Sequence, residues 1–152
     1  MDIKKAGLVI VGVLLVGLFL FNRSDVSLTK QDAFTITPIG ANGYELHSTL
    51  HFYNPNLLSS TIKEISENFY INGRSIAIMK MEIAQGIPGR KETSFPVTVR
   101  FNRNDLKQLF PDSAVGLVKG EVSVTGEITF SNMFGGGKIS VEQNDSLTIP
   151  GL

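Results

Sequence analysis

From Glu121 to Phe130 the chain alternates: Val122, Val124, Ile128 and Phe130 fall on one side, and Glu121, Ser123, Thr125, Glu127 and Thr129 on the other. Successive side chains of a strand point to opposite faces, so this pattern buries one face and wets the other, whereas helical winding would scatter it. Gly126 is the only gap in the inner row. The same signature recurs in Leu46, Ser48, Leu50 and Phe52 against Glu45, His47, Thr49, His51 and Tyr53. It recurs again in Thr93, Phe95, Val97, Val99 and Phe101 against Glu92, Ser94, Pro96, Thr98 and Arg100. Proline cannot donate to a ladder, so Pro96, like Pro38 after Phe34 and Ile36, predicts an edge position, a strand end or a bulge.

Turn residues divide these runs. Asn42–Gly43 and Asn72–Gly73 are hairpin signals of the kind that tolerates positive φ. Ile62, Ile65, Phe69 and Ile71 break strict alternation once, which predicts a bulge between Thr61 and Ile71. The return strand, Ser75 to Ile83, carries Ile76, Ile78, Met79, Met81 and Ile83 on both faces, as expected for an inner strand buried in the core or, alternatively, for a surface that meets lipid or protein. Asn102 or Asn104 can cap a short helix with Asp105 in its first turn and Leu106, Leu109 and Phe110 as its apolar stripe, ended by Pro111. Gly135 to Gly137 read as a flexible hairpin before a last strand that begins at Ile139 and Val141 and resumes at Leu147 and Ile149. The expected fold is all-β: an antiparallel two-sheet sandwich of the immunoglobulin or fibronectin III kind, with about seven strands and one short helix. A closed barrel is the alternative.

Ahead of this domain, residues 6–21 are apolar without interruption. As a helix they span roughly 24 Å, and Lys4, Lys5 and Arg23 can reach the headgroups on either side. Bulky Leu18 to Phe21 stand where a cleaved signal peptide needs small residues, so the run is expected to be an uncleaved transmembrane helix. Lys4 and Lys5 against Arg23 and Lys30 bias the N-terminus toward the cytoplasm and place the β domain outside it, in the periplasm or extracellular space. The expected organisation is a cytoplasmic tail (1–5), a transmembrane helix (6–21), a juxtamembrane linker (22–32) and the β domain (33–152).

Fourteen basic residues balance fourteen acidic ones, so no net field favours nucleic acid. The absence of cysteine removes disulfides, thiolate catalysis and cysteine zinc sites. His47 and His51 are the only histidines; on a strand they share a face but stand about 13 Å apart, too far for one metal ion. Glu64 and Glu67, Glu121 and Glu127, and Asp105 and Asp112 are read as solvated charges. No serine sits in a nucleophile elbow, and the three glycines at 135–137 lack the lysine and hydroxyl of a phosphate loop. No catalytic, metal or cofactor-binding set is expected.

The run Tyr53, Asn54, Pro55, Asn56, then Ile62 to Ile71 closed by Asn72 and Gly73, then Ile87 and Pro88, resembles the late embryogenesis abundant type 2, or WHy (water stress and hypersensitive response), domain. The likeness extends over roughly residues 33–150. It implies a β-sandwich with one helix, no catalytic residues, and an association with tolerance of drying, cold or other stress; relatives include single-pass membrane proteins. The most diagnostic piece is Asn54, Pro55 and Asn56. Asparagine side chains mimic backbone turns and proline fixes its own φ, so the triplet is expected to be structural. Expected partners are membrane lipid through the N-terminal helix and a protein partner in a membrane complex. The alternative function is that of a structural subunit in a larger membrane assembly.

Overall fold

In a computed structural model, which describes residues 25–110 and 118–151, the alternating stretches pair into two four-stranded antiparallel sheets. The strands are β1 (Ser27–Gln31), β2 (Thr35–Ile39), β3 (Gly43–Tyr53), β4 (Ser60–Ile71), β5 (Arg74–Ile87), β6 (Glu92–Asn102), β7 (Val118–Asn132) and β8 (Gly135–Ile149), with helix α1 (Arg103–Leu109) after β6. In the first sheet β3 is central: β6 runs along its whole length, while β2 and β1 share its other side, β2 on Gly43–His47 and β1 on Leu50–Tyr53. The second sheet has the order β5-β4-β7-β8.

The inner rows meet between the sheets as the alternation predicts. Leu46, Leu50 and Phe52 of β3, Val97 and Val99 of β6, Ile65, Phe69 and Ile71 of β4, and Val122, Val124, Ile128 and Phe130 of β7 are all buried. The bulge expected in β4 lies between Ile62 and Glu64, where the pairing with both neighbours slips. It returns Ile62 and Ile65 to the same inner row. Asn72 and Gly73 take φ of 48° and 76°, the left-handed pair that a two-residue hairpin requires. At the other hairpin signal the positive φ falls on Gly40 rather than on Asn42 or Gly43, because the turn is Gly40–Asn42 and Gly43 already pairs with Ile39. Asn102 caps α1 by accepting from Asn104 N at 2.9 Å, and Leu106 is buried beneath the sandwich.

Four expectations are corrected. Ser27–Gln31, assigned to the linker, is a strand, so the domain begins near Val26 rather than Ala33; Val26 is buried and Leu28 pairs with Phe52. The slip between Leu28 and Lys30 breaks the alternation that would have marked it. The described strands therefore number eight rather than about seven. β5 is not an inner strand: it is the outer strand of its sheet, Ile78 is 74% exposed, and Ile76, Met79 and Ile83 are only partly buried. β8 is one continuous strand from Gly135 to Ile149 rather than two pieces.

Hydrogen bonds across one open side tie the sheets. Phe34 N donates to Asp145 Oδ2 at 3.1 Å, and Gln143 Nε2 donates to Asp32 O at 3.3 Å. The predicted transmembrane helix (6–21) lies outside the described residues; none of the described helices is long and apolar enough to cross a membrane.

Candidate functional site

The chain passes from one sheet to the other between β3 and β4, and returns between β5 and β6. The two crossings meet at Asn54, Pro55 and Asn56. Asn54 and Asn56 are fully buried, and backbone and side-chain polar groups of Asn54 are bonded in a small knot. Asn54 Nδ2 donates to Leu58 O and to Ile87 O, both at 2.9 Å, and Asn54 Oδ1 accepts from Asn56 N at 3.0 Å. Arg90 N donates to Asn54 O and Asn56 O at 2.9 Å, and Asn54 N donates to Lys91 O at 3.2 Å. A carboxamide supplies two donors and an acceptor on one short stem, which suits this arrangement and no isosteric apolar residue. The partner turn is shaped to fit. Arg90 takes φ of 57°, and a Cβ on Gly89 would stand 2.0 Å from Leu57 O.

These turns form one end of the sandwich. Ser27 pairs with Tyr53 and Thr61 with Ser131, so the start of β1 and the β7–β8 hairpin lie at this same end. Exposed here are Leu57 (50%) and, at the hairpin tip, Met133 (72%), together with Arg90 and Lys91. The opposite end carries the β2–β3 and β4–β5 turns and α1.

Between the sheets lies a group that the sequence reading misplaced. Glu67, taken for a solvated charge, is fully buried in the inner row of β4, paired with Gly126 of β7. Gly126 is the gap noted in that row. A Cβ there would stand 2.2 Å from Ser66 O and 2.9 Å from Glu67 Cα, so the neighbouring strand β4 comes closer to residue 126 than any side chain there permits. Among the described residues neither Glu67 carboxylate oxygen has a hydrogen-bond partner. Burial pushes its pKa from 4.5 up to about 7, because the charged form has lost its water. Two signals in the sequence point to this placement: Glu67 alternates in phase with Ile65, Phe69 and Ile71, and Gly126 leaves a gap in the facing row.

The outer face of the first sheet holds both histidines. His47 bridges Thr37 and Thr98 at 3.2 Å each, and His51 links Asp32 at 3.1 Å with Ser94 at 2.9 Å. Each stitches neighbouring strands laterally, and the structure does not bring the two together. The Lys30 ammonium, 2.8 Å away, and then His51 hold the Asp32 carboxyl below its ordinary range. Of the other carboxylates, Glu64 lies 3.5 Å from Lys80 and Glu127 3.1 Å from Lys138. Asp112 lies outside the described residues. Among the described residues no group of three or more His, Cys, Asp or Glu is placed to hold a metal ion.

Residues 49–145 match the family described as late embryogenesis abundant protein. Among solved structures, one described as late embryogenesis abundant is 21% identical, with a TM-score of 0.68, over 99% of this chain and 88% of that one. An Arabidopsis thaliana protein solved in solution is 17% identical, with a TM-score of 0.66, over 85% of this chain and 87% of that one. A protein from Archaeoglobus fulgidus is 12% identical, with a TM-score of 0.59, over 83% of this chain and all of the other. At these identities the likeness establishes the fold alone. Comparison with curated proteins returns no match.

Proposed function

The chain belongs to the late embryogenesis abundant type 2 family, and from that premise we propose that it is a non-enzymatic, membrane-anchored domain that protects or binds lipid or protein at the membrane surface under drying or cold. The observation that carries the anchored part is the spacing between the apolar run and the fold. Phe21 ends the run, and Val26, five residues later, is already buried in the core. Five residue steps reach at most about 18 Å. A run seated in the bilayer would hold the domain at the headgroups, with its N-terminus cytoplasmic and the sandwich outside. The protective part rests on the family.

A second reading, a structural subunit of a larger membrane assembly, is favoured by β5. Among the described residues nothing pairs with the outer side of this strand, and it exposes Ile78, a combination suited to strand addition by a partner.

One preparation tests both. Membranes carrying the full-length chain are washed in alkaline carbonate, extracted in mild detergent and weighed by native mass spectrometry. Retention through the wash and a bare or lipid-carrying single chain are expected; release by the wash refutes the anchor, and a stoichiometric protein partner turns the assignment to the subunit. Vesicles reconstituted with the chain should then leak less trapped dye after drying and rehydration than empty vesicles. Equal leakage refutes protection.

A further inference from the structure

The two crossings, the β7–β8 hairpin and the start of β1 gather at one end of the sandwich, and we propose that this end is a lipid-docking face. Leu57 and Met133 dip into the headgroup layer there, and Arg90 and Lys91 pair with anionic lipid phosphates. This rests on the anchored reading above and deepens it by naming which surface the bilayer touches.

The position of the chain's entry is the first argument. Ser27 pairs with Tyr53, and a Cβ on Gly137 would lie 3.4 Å from Asp25 Oδ1, so Asp25 stands between the Asn54 turn and the β7–β8 hairpin. Residues 22–25 tether that end within about 14 Å of the apolar run, while the far end of a 15-residue strand lies roughly 50 Å away. Surface chemistry is the second argument. The described residues expose four large apolar side chains, Ile39, Leu57, Ile78 and Met133, and two of them, Leu57 and Met133, occupy this end at the tips of separate turns. An apolar tip costs least where it can leave water, and shallow insertion beside headgroups is such a place.

Charge agrees. Arg90 and Lys91 are exposed, and among the described residues neither is ion-paired with a carboxylate. The Arg90 backbone is fixed by its bonds to Asn54 and Asn56, so its side chain starts from a set position. The acidic groups at this end are Asp25 and Glu92, and Glu92 lies 3.6 Å from His51 Nδ1 on the side of the sheet. Basic residues beside an anionic leaflet are attracted over about a Debye length, which the tether does not exceed by much.

The chain has no cysteine, so single labels are unambiguous. Leu57→Cys, Met133→Cys and, at the opposite end, Lys107→Cys are made in the full-length chain, labelled with an environment-sensitive fluorophore and reconstituted into vesicles of phosphatidylcholine and phosphatidylglycerol. Flotation after an alkaline wash reports anchoring independently of the labels. Blue-shifted emission and quenching by headgroup spin-labelled lipid are expected at 57 and 133 and not at 107. Replacing Arg90 and Lys91 together with glutamine should reduce that quenching in anionic vesicles. Water-like emission at 57 and 133 in chains that still float overturns the docking face and leaves the anchor standing. Failure to float overturns the anchor and the docking with it.

Discussion

Glu67→Gln exchanges a carboxyl buried over Gly126 for an uncharged group of nearly the same shape. In the wild-type fold, burial raises this carboxyl from 4.5 to about 7. Below pH 4.5 it is protonated in both folded and unfolded chains, and the shift has no effect on stability. Between 4.5 and about 7 the unfolded chain has released the proton that the folded one keeps, so the folded chain binds more protons and stability falls as pH rises. Each pH unit of difference is worth about 1.4 kcal/mol, so the full loss is about 3 kcal/mol and is complete above pH 7. Glutamine has no charge to bury. Urea denaturation of both proteins at pH 5 and pH 8 should show the wild type losing about 2.5 kcal/mol between them, the rest being already lost by pH 5, and the variant nearly none. At pH 8 the variant should be the more stable, melting higher by roughly 10 °C for a domain of this size. Stability profiles that run parallel from pH 5 to pH 8 would refute the argument, since they would mean that Glu67 ionises as easily folded as unfolded.

Two further substitutions test the knot between the crossings. Asn54→Ala deletes the donors to Ile87 O and Leu58 O and the acceptor for Asn56 N, and should cost about 2–4 kcal/mol by chemical denaturation. Asn54→Asp should do no better, because it keeps only the acceptor; full stability in the aspartate variant would show that the two donor bonds contribute little. Gly89→Ala forces a Cβ against Leu57 O and should cost about 1–3 kcal/mol or more, read as a lowered melting temperature; an unchanged value would mean that the turn yields freely.

What the sequence disclosed follows from the range of each interaction. Alternation is local, so the inner rows of β3, β6 and β7 were legible, as were the Asn72–Gly73 hairpin, the bulge in β4 and the Asn102 cap. Pro38 and Pro96 correctly marked outer strands, because a missing donor is a property of one residue. β1 was lost because its register slip removes the alternation within five residues. Apolar residues on both faces of β5 were read as burial, yet a strand's place in its sheet depends on which segments pair, which no local pattern encodes. Alternation with Ile65, Phe69 and Ile71 puts Glu67 on the inner row, but the space that lets a carboxyl lie there depends on β4 pairing with β7 so that residue 67 faces Gly126. Likewise the bond from Asn54 to Ile87 spans 33 residues and exists only because the β3–β4 and β5–β6 crossings arrive at one end.

Entry through β1 also decides how the domain bears load. Asp25 leads straight into a strand that runs antiparallel to the last residues of β3. A pull toward the membrane, with drag on the rest of the domain directed the other way, draws β1 lengthwise past β3. The hydrogen bonds between Ser27–Gln31 and Leu50–Tyr53 then carry the load together in shear, rather than opening one at a time as in unzipping. The irregularity between Leu28 and Lys30 is where that load is shared least evenly, and it is the place where the seam would part first.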